Sequence, residues 1–458
     1  MKDSREFEHL KQIFHAAVER VDPYQMIKKH VEVTGSLLKI DIEDKSVPVD
    51  LKGFNRIFVI GCGKATAKMA KAVEEIFTGK ISAGAVSVKY GHTEHLNFIR
   101  TIESGHPIPD ENSMKAAGEI IKLSKQADDK TLIINLISGG GSALLASPLE
   151  YSAGPDKVKL TLKDIQQTTE VLLASGAPID EMNCIRKHIS GIKGGKLARL
   201  MYPATLINLI LSDVIGDRLD SIASGLTTAD ETTYDDALQI IEKYEIREKV
   251  PVRVLNAVED GARGLIEETP KKNDRIFNKV FNVLIGTNYT ALLAASHMAG
   301  SLGYNNTVIS SQVIGEAREA AKIFAGIAKD IKKHDLLLKK PACVIGGGET
   351  TVTIKGSGKG GRNQELALSF LSEMKKDPEQ TDGIYFLSAA TDGNDGPTDA
   401  AGAFASHEIL KECKRVLLKI EDFLKNNDSY TFFEKTGSLF KTGPTNTNVC
   451  DLQILIVK

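Results

Sequence analysis

The stretch from Asn55 to Phe77, NRIFVIGCGKATAKMAKAVEEIF, decides the fold class. It opens on an apolar run of the kind that fills a buried parallel strand. The residues that follow predict a helix, since Met69, Val73 and Ile76 fall near one face. A buried strand that leads directly into a helix is half of a βαβ unit. The stretch therefore predicts an α/β fold with a parallel sheet.

The same alternation of apolar runs and helical patterns recurs along the chain. Further predicted strands are TLIINLI (131–137), ATLINLIL (204–211), KVFNVLIG (279–286), PACVIGGG (341–348), GIYFLSAA (383–390) and DLQILIVK (451–458). The polar segment 268–278, ETPKKNDRIFN, predicts a domain boundary, with an N-terminal domain over residues 1–272 and a C-terminal domain over residues 273–445. We expect the last strand, within residues 446–458, to pack back onto the first domain. The segment EDFLKNNDSYTFFEKTG (421–437) predicts an exposed loop or hairpin.

Composition excludes several classes of partner. The chain has 458 residues, and its 58 Lys and Arg nearly balance its 60 Asp and Glu, so nothing in the net charge favours nucleic acid or a membrane surface. The five cysteines are scattered without a zinc-binding spacing, which suits a reducing compartment. No apolar run approaches the roughly 20 residues that span a bilayer. We expect a cytoplasmic protein, monomer or homodimer, whose ligands are small molecules.

The stretch KGSGKGGRNQELAL (355–368) carries the pattern G-x-G-x-x-G at Gly356, Gly358 and Gly361. A dinucleotide site needs an apolar strand before the glycines and an acid at the end of the next strand. Here TTVTIKG before the glycines alternates like a half-exposed strand, and Asp382 precedes the next strand instead of ending it. A nicotinamide site is therefore disfavoured, and a glycine-rich turn remains an alternative.

A phosphate nest is a third interpretation of the same glycines. Backbone N–H groups and the start of a helix together attract anions. Lys359 and Arg362 flank the glycines and would add full positive charges, and an arginine can hold a carboxylate or phosphate with two hydrogen bonds. The segment predicts an anion site if other parts of the chain supply similar groups.

Two other strand ends supply such groups. Lys64 follows the strand of the opening stretch, at the start of a helix, where the helix dipole disfavours a cation unless an anion accompanies it. Gly139, Gly140 and Gly141 follow TLIINLI between Ser138 and Ser142, and they form a second candidate phosphate cradle or a tight turn. Both positions lie at the carboxyl ends of predicted parallel strands, where ligands bind in open α/β sheets.

Carboxylates end two more strands. Asp213 follows ATLINLIL, and Asp392 and Asp395 follow GIYFLSAA. Mg²⁺ prefers oxygen ligands and commonly keeps waters and substrate phosphates as its other partners. These aspartates predict a magnesium site, with an ordinary Asx-rich loop as the alternative.

Taken together, these motifs resemble the class II glycerate 2-kinase family, also called the MOFRL family. The matching segments are GCGKA, SGHPIPDENS, LISGGGSALLASP, IRKHISGIKGGKLA, LSDVIGDRLDSIASG, GGETTVTIKGSGKGGRNQELAL, TDGNDGPTDAAGA and TGPTNTNV. They extend over most of the chain, from about Asn55 to Val457, and are far more specific together than any single glycine run.

The resemblance implies ATP-dependent phosphorylation of D-glycerate to 2-phosphoglycerate. It implies a larger Rossmann-like domain, a smaller C-terminal domain and a cleft between them, with Lys64 and Arg362 matching basic residues of the family's site. ATP and Mg²⁺, or Mn²⁺ in its place, would be the cofactors. Two alternatives remain open at this point: an NAD(P)H-dependent hydroxypyruvate reductase, and a module that binds a phosphate ligand without turnover.

The sequence thus yields a set of candidate residues. The candidates are Lys64, Arg362 and Asp392 for catalysis; Ser138, Gly139, Gly140, Gly141, Ser142, Asn288, Gly347, Gly348, Glu349, Gly358, Lys359 and Gly361 for substrate or phosphate binding; and Asp213, Asp392 and Asp395 for metal binding.

Overall fold

The computed structural model describes residues 4–42, 45–153 and 156–458. The helices are α1 (Arg5–Arg20), α2 (Pro23–His30), α3 (Thr66–Ile76), α4 (Glu111–Ser124), α5 (Gly141–Leu144), α6 (Leu162–Ser175), α7 (Ile179–His188), α8 (Lys196–Met201), α9 (Tyr234–Lys243), α10 (Val252–Ala262), α11 (Asn288–Ser301), α12 (Ala317–His334), α13 (Arg362–Lys375), α14 (His407–Arg415), α15 (Ile420–Lys425) and α16 (Ser429–Lys435). The strands are β1 (Val31–Thr34), β2 (Leu37–Ile42), β3 (Lys45–Asp50), β4 (Arg56–Cys62), β5 (Ala83–Lys89), β6 (Ile99–Ser104), β7 (Thr131–Ile137), β8 (Glu150–Ala153), β9 (Asp156–Lys159), β10 (Thr205–Leu211), β11 (Val280–Gly286), β12 (Asn305–Val313), β13 (Ala342–Gly348), β14 (Ile384–Ala390), β15 (Gly402–Ser406), β16 (Leu439–Phe440) and β17 (Asp451–Val457).

The first large sheet has six strands in the order β11-β10-β7-β4-β5-β6. The pairs β4–β5, β5–β6, β4–β7 and β7–β10 are all parallel. Counted along the chain, its strands lie in the order 3-2-1-4-5-6, which is the order of a Rossmann fold. The predicted buried strands β4, β7 and β10 are confirmed, and every residue of β7 is buried, as a strand covered on both faces requires.

The second large sheet has six strands in the order β12-β13-β17-β14-β15-β16. Only the β12–β13 pair is parallel; β17 runs antiparallel to both β13 and β14. The apolar runs predicted as strands at β13, β14 and β17 are confirmed, and all three strands are buried throughout. The fold class predicted from the sequence, an α/β chain with a parallel sheet and a second, smaller α/β part, is confirmed.

The chain divides into two compact units. We call residues 23–212 and 217–285 the N-terminal unit, and the described residues up to Asp22, with 213–216 and 286–458, the C-terminal unit. The predicted boundary at residues 272 and 273 comes too early, because β11 extends the first sheet beside β10. The last strand does not pack on the first sheet as expected: β17 pairs with β13 and β14 and lies inside the second sheet.

The aromatic segment 421–437 is not the exposed loop or hairpin that the sequence predicts. It forms α15 and α16, and both Phe432 and Phe433 are fully buried. These rings hold the two short helices against the rest of the C-terminal unit, so burial of aromatic surface, and not a periodic pattern, forms the helices. In the described residues, no helix combines the length and the apolar character that a membrane crossing needs.

Candidate active site

The topological switch point of the first sheet lies at the carboxyl ends of β4 and β7, because the strand order runs away from this pair in both directions. The two loops that follow these strands touch backbone to backbone. The N–H of Lys64 donates to the carbonyl of Gly139 at 2.9 Å. A Cβ on Gly63 would lie 2.0 Å from Ser138 Oγ, so only glycine fits there. Lys64 and the Gly139 loop are thus brought together at the place where ligands bind in this fold.

Ser138 has a different task from the one that the sequence predicts. Its hydroxyl accepts the N–H of Ala65 at 3.1 Å and lies 3.1 Å from the hydroxyl of Thr66, the first residue of α3. The side chain is buried. Because its oxygen already satisfies a backbone donor at the helix start, Ser138 stabilises this turn, and its predicted phosphate contact is disfavoured.

The glycine loop after β7 forms one wall of a cavity. Gly140 has φ +83°, and a Cβ there would lie 2.8 Å from Cδ2 of His106, so the loop approaches that ring as closely as a glycine allows. Ser142 follows in the same loop. The Nζ of Lys193 donates to the backbone carbonyl of Ser142 at 2.7 Å and to its hydroxyl at 3.0 Å. The cavity encloses about 200 Å³ and lies wholly within the N-terminal unit.

Positive charge dominates the switch point. Among the described residues, no carboxylate lies within ion-pair distance of Lys64 or of Lys89, at the end of β5. Burial, followed by the charges of Lys64 and Lys89, lowers the pKa of His106 to about 4. The imidazole is therefore neutral at pH 7, and it can hydrogen-bond a ligand without adding charge.

A second candidate group lies in the C-terminal unit, around Arg362 at the first position of α13. The guanidinium holds Asp451 with two hydrogen bonds, Nε to Oδ2 at 2.6 Å and Nη2 to Oδ1 at 2.8 Å. Its Nη1 lies 3.0 Å from Glu349 Oε1. Asp451 is fully buried at the start of β17, so this arginine neutralises a buried acid as well as facing outward.

Acidic side chains accumulate around this arginine. Burial raises the pKa of Glu349, and the neighbouring charges of Asp451, Asp213 and Asp392 raise it further, while Arg362 lowers it. The predicted candidates Asp213, Glu349 and Asp392 therefore share one electrostatic environment in the C-terminal unit. The buried thiol of Cys450 lies in the same environment and donates to the Asp213 carbonyl at 3.1 Å.

Asp395 does not fit the metal role that the sequence predicts. Its Oδ1 accepts the N–H of Asn363 at 3.0 Å and its Oδ2 accepts the N–H of Gln364 at 2.8 Å. The carboxylate is buried and caps the first turn of α13. A Cβ on Gly361 would lie 2.3 Å from Asp395 Cγ, so the carboxylate reaches the start of α13 only because residue 361 is a glycine. Both oxygens are used inside the fold, and neither is left for a cation.

The glycine fingerprint at 355–361 is not a phosphate nest either. The N–H groups of Lys355 and Gly356 donate to Asn427 Oδ1 at 2.8 and 3.0 Å, and that of Gly358 donates to the carbonyl of Asn426 at 2.9 Å. Asp428 Oδ1 accepts the N–H of Lys359 at 3.0 Å. The donors that would cradle a phosphate therefore bind the segment between α15 and α16.

The side chain of Lys359 also has a protein partner. Its Nζ lies 4.1 Å from the centroid of the Tyr430 ring, in a cation–π contact. The stretch TTVTIKG before the glycines makes only a single bridge, at Thr351, and contributes no strand to a sheet. The structure thus gives neither the strand of a dinucleotide site nor the open donors of a nest.

Gly347 and Gly348 end a strand instead of forming a loop. They pair with Leu452 and Asp451 of β17. A Cβ on Gly347 would lie 2.1 Å from Asn288 Oδ1, and one on Gly348 would lie 2.2 Å from the carbonyl of Val313, so both glycines permit close packing.

Asn288, the third candidate at this strand end, is a structural clamp. Its Nδ2 donates to the carbonyls of Val449 and Asp451 at 2.7 and 3.0 Å, and the side chain is buried. Both amide hydrogens are thereby used within the C-terminal unit, which argues against the phosphate-binding role predicted for this residue.

The residues present fit a magnesium ion only in part. In the ranges that the structure describes, no group of three His, Cys, Asp or Glu side chains is arranged to hold a metal ion. Mg²⁺ that is carried by a nucleotide commonly takes only one or two protein carboxylates. Asp395 does not suit even that smaller requirement, because backbone N–H groups occupy both of its oxygens. The metal-binding roles of Asp213 and Asp392 stay predictions.

Sequence reasoning missed three residues of these groups. Asp451 begins an apolar strand and gave no sign that it would hold Arg362. Arg186 and Lys193 line the cavity of the N-terminal unit, and their signal is the segment 185–198, IRKHISGIKGGKLA, which contains five basic residues and no acid. The sequence shows that this segment is basic. It does not show which of the Lys and Arg side chains lack a carboxylate partner.

Comparisons with known proteins relate the whole chain to one family. Residues 9–259 match the family model described as "Domain of unknown function (DUF4147)", and residues 342–451 match the MOFRL family. The D-glycerate 2-kinase of Thermotoga maritima is 40% identical over 95% of this chain and 99% of its own length. The glycerate 2-kinase of Pyrococcus horikoshii is 40% identical over 96% and 95%.

A solved structure gives the same result. The crystal structure of the Thermotoga maritima glycerate kinase superposes with a TM-score of 0.83 and 38% identity, over 98% of this chain and 99% of that one. A strand order of the Rossmann type, a lysine at its switch point and a second unit with a mixed sheet therefore occur in a chain that is similar to glycerate kinases over nearly its whole length. The chain belongs to the MOFRL family of glycerate kinases.

Proposed function

We propose that this glycerate kinase transfers the γ-phosphoryl group of ATP to the C2 hydroxyl of D-glycerate, with Mg²⁺ bound to the nucleotide. The family relationship supports the reaction class. The observation that carries the proposal within the structure is the lysine at the switch point, which has no acidic partner among the described residues. Glycerate and ATP are both anions, and such a cation is matched to them.

Phosphoryl transfer depends mainly on positioning and on electrostatic stabilisation of the transferring group. Lys64 sits immediately before α3, where the helix dipole already attracts negative charge. An ammonium placed there stabilises the charge on the equatorial oxygens of the transferring phosphoryl group. We assign Lys64 this role, and assign to His106, which is neutral at pH 7, a hydrogen bond to a substrate hydroxyl.

Arg362 keeps a place in the proposal with a narrower role. Two of its hydrogen bonds hold Asp451, so only the Nη1 side, which faces the more exposed Glu349, can exchange its partner for an anionic ligand. Asp392 and Asp213 are the carboxylates that would hold Mg²⁺, which neutralises charge on the β- and γ-phosphates when it is bound. Of the predicted loop residues, Gly139, Gly140, Gly141 and Ser142 remain candidates for ligand contact.

Two observations favour the kinase over the two alternatives. The N–H groups of the G-x-G-x-x-G stretch are occupied by Asn426, Asn427 and Asp428, so the feature that suggested a nicotinamide cofactor has a structural explanation. A module that only binds phosphate ligands needs a single anion site. It would not require a separate group of acids around an arginine in the second unit.

The reaction is tested by incubating the protein with D-glycerate, ATP and Mg²⁺ and identifying the product by phosphorus NMR. We expect 2-phosphoglycerate. Formation of 3-phosphoglycerate would contradict the position of transfer. Oxidation of NADH or NADPH by hydroxypyruvate, without phosphorylation of glycerate, would establish the reductase instead, and binding of glycerate and ATP in calorimetry without product would establish the binding module.

Lys64→Met tests the residue that carries the proposal, with Lys71→Met as the matched control. Lys71 lies in the same region of the chain but forms an exposed ion pair with Glu94. We expect Lys64→Met to melt at or above the wild-type temperature and to lose turnover by roughly a hundred- to a thousandfold. We expect the control to keep its turnover, since an exposed ion pair contributes at most about 1 kcal/mol.

The state of the cysteines and the need for ATP indicate the compartment in which the enzyme works. All five cysteines are unpaired and buried, as expected for a reducing compartment. We place the enzyme in the cytoplasm, where ATP is available, with small-molecule partners only and as a monomer or homodimer.

A further inference from the structure

The cavity in the N-terminal unit has a charge that the reaction class alone does not explain. It lies beside the switch point and is lined by His106, Gly140, Ser142, Arg186, Ile189 and Lys193, with further apolar and hydroxyl side chains. None of the described residues that line it is an Asp or a Glu. Two cations therefore line a cavity of about 200 Å³.

Neither cation has a carboxylate partner among the residues that the structure describes. Lys193 is only 6% exposed, and its ammonium donates to Ser142 alone, although an ammonium carries three N–H groups. Arg186 lies on α7 and is half-buried. A buried charge without a counter-charge is unfavourable, so this pair requires an explanation.

Neighbouring lysines show that the fold pairs buried cations where it has no other use for them. Lys187, next to Arg186 in the chain, lies 3.1 Å from the buried carboxylate of Asp230. Lys196, in the next helix, donates to the carbonyls of Lys187 and Ser190 at 3.1 and 2.7 Å. Lys193, like Lys196, is held by two neutral oxygens, and only Lys187 has a buried carboxylate. Lys193 differs from Lys196 because it lines a cavity together with a second cation.

The position of Lys193 is fixed by a chain of hydrogen bonds. Ser142 Oγ lies 2.7 Å from Ser224 Oγ, and Ser224 Oγ donates to Asn183 Oδ1 at 3.1 Å. Ser224 has φ +55° and Ala223 has φ +50°, a conformation that non-glycine residues rarely adopt. Strain of this kind is found where a structure holds a functional group in a set position.

The pKa shifts of the two cations have causes that a bound anion would oppose. Burial, followed by repulsion from Arg186, lowers the pKa of Lys193 to about 7, with the Cys62 thiol acting in the opposite direction. Burial alone lowers the pKa of Arg186. An anion in the cavity would relieve both effects.

We propose that this cavity binds the carboxylate of the acceptor, glycerate, and that Arg186 and Lys193 are the residues that hold it. The proposal rests on the proposed function, because it assigns the acceptor of that reaction to one cavity. Cavities for drug-sized ligands measure about 300–1,000 Å³, so a space of about 200 Å³ is matched to a smaller molecule such as a three-carbon acid. The planar guanidinium matches a carboxylate, and the ammonium adds a second charge.

The test uses the full chain and measures binding separately from turnover. Arg186→Met and Lys193→Met remove one cation each, and Arg263→Met, which removes an exposed arginine paired with Asp260, is the matched control. Glycerate and ATP dissociation constants are measured by calorimetry, each without the other ligand. Glycerol, which has hydroxyls but no carboxylate, and inorganic phosphate, which has no carbon skeleton, are the ligand controls.

We expect both cavity variants to weaken glycerate binding by roughly ten- to a hundredfold, the loss of one charge-assisted hydrogen bond, with ATP binding unchanged and KM for glycerate raised more than kcat is lowered. Both should melt at or above the wild-type temperature, because an unpaired buried charge is removed. Lys187→Met, which strands Asp230, should melt lower.

Three results would overturn the assignment: glycerate binding that is unchanged in both variants, loss of ATP binding in place of glycerate binding, or glycerol or inorganic phosphate binding as tightly as glycerate in the wild type. The proposed function fails separately. A wild-type protein that binds glycerate through these two residues but never phosphorylates it would retain the cavity assignment and contradict the kinase reaction.

Discussion

At the residue scale, the ion pair between Arg362 and Asp451 changes the result expected for Arg362→Ala. The sequence alone suggests that Arg362→Ala removes a catalytic charge and leaves folding intact. Asp451, which this arginine holds with two hydrogen bonds, is fully buried. Removing one member of a buried ion pair leaves an uncompensated charge, which costs about 3–5 kcal/mol. A loss of activity in Arg362→Ala would therefore not distinguish chemistry from unfolding.

A double variant separates the two effects. We expect Arg362→Ala to lower the free energy of unfolding by about 3–5 kcal/mol, and Arg362→Ala with Asp451→Asn to recover most of that loss, because the stranded charge is gone. If Arg362 contacts the substrate, the double variant stays inactive although it is folded. Chemical denaturation and steady-state kinetics on the same samples decide this, and a stable double variant with wild-type kcat would remove Arg362 from the site.

Two aspartates three positions apart in the chain are expected to behave differently. Asp395 caps α13 with both oxygens, so Asp395→Ala should destabilise the protein by at least about 1–2 kcal/mol. Asp392 is the candidate metal ligand, so Asp392→Asn should keep its melting temperature and raise the Mg²⁺ concentration needed for half-maximal activity. Thermal melting and a magnesium titration measure the two effects. An unchanged magnesium requirement in Asp392→Asn would leave Asp213 or the nucleotide alone to hold the ion.

Lys193 gives a prediction about pH. Burial, followed by repulsion from Arg186, lowers the pKa of Lys193 in the folded protein from its ordinary value of 10.5 to about 7. The unfolded chain therefore binds more protons than the folded chain between about pH 7 and 10.5, and this group makes the folded state more stable as pH rises through that window. His106, the histidine of the cavity, is already neutral there, because burial and the charges of Lys64 and Lys89 lower its pKa to about 4.

The measurement compares the wild type with Lys193→Met, so that contributions from all other groups cancel. We expect the melting temperature of the wild type, relative to the variant, to rise from pH 7 to pH 10 and to be lowest and nearly constant below pH 7. At pH 7, saturating glycerate should raise the melting temperature of the wild type toward that of Lys193→Met, because its carboxylate supplies a counter-charge for the Lys193 ammonium. A difference that does not change with pH would show that Lys193 is not a buried ammonium.

At the element scale, the loop before α13 shows why a motif is not a site. Its glycines allow the chain to press against the segment between α15 and α16: a Cβ on Gly356 would lie 2.3 Å from the carbonyl of Asn426. We expect Gly356→Ala to destabilise the protein by about 1–3 kcal/mol. The ATP affinity of the folded protein should not change, since the N–H groups of the loop already have partners.

Gly326→Ala is the control in the same unit. Gly326 lies inside α12, and a Cβ there meets nothing within 4 Å. We expect this variant to be more stable by about 0.5–1 kcal/mol. Denaturant melts and nucleotide titrations on both variants test the pair. A Gly356→Ala protein with wild-type stability and weakened ATP binding would restore the phosphate nest.

The elements that were predictable from sequence are those whose signal is local. The strands β4, β7, β10, β13, β14 and β17 follow apolar runs, because a strand buried on both faces needs apolar residues throughout. The position of Lys64 followed from the rule that ligands bind at the carboxyl ends of parallel strands. By contrast, the cap of α13 comes from Asp395, 32 residues beyond its partner Asn363. A contact of that kind leaves no trace in the local pattern, and the same is true of the Arg362 ion pair.

At the scale of the whole molecule, both ends of the chain lie in the C-terminal unit. The apolar face of α1, which includes Phe7, Leu10, Ile13 and Phe14, is buried. His9 Nδ1 lies 2.8 Å from the Tyr304 hydroxyl. Sequence order suggested instead that the first helix begins the first domain and that the last strand returns to it. Such long-range pairings depend on which surfaces remain uncovered after each unit folds, and no local pattern reports this.

This arrangement predicts how fragments behave. Residues 23–285 are contiguous and contain the whole N-terminal unit, so we expect that fragment to unfold cooperatively on its own. It should also bind glycerate, if the cavity assignment is correct, without phosphorylating it. Residues 286–458 lack α1, and the surface that Phe7, Leu10 and Ile13 cover would be open to water. We expect this second fragment to aggregate or to bind a hydrophobic dye, as exposed apolar surface does.

Supplying the missing helix should reverse that defect. A fragment in which residues 4–22 are joined through a flexible Gly/Ser linker to residues 286–458 restores the burial of α1 and the contact between Glu6 and Lys458, whose Nζ donates to Glu6 Oε1 at 2.5 Å. The same fragment with Leu10→Asp and Ile13→Asp keeps the length and the linker but cannot bury the helix, so it is the matched control. Solubility, dye binding and thermal melting are measured on all three. If residues 286–458 alone melt cooperatively at the temperature of the linked fragment, then α1 is dispensable for the C-terminal unit. If only the linked wild-type fragment melts cooperatively, the folding of this unit requires residues from the opposite end of the chain. In that case the C-terminal unit cannot fold before both ends have been synthesised.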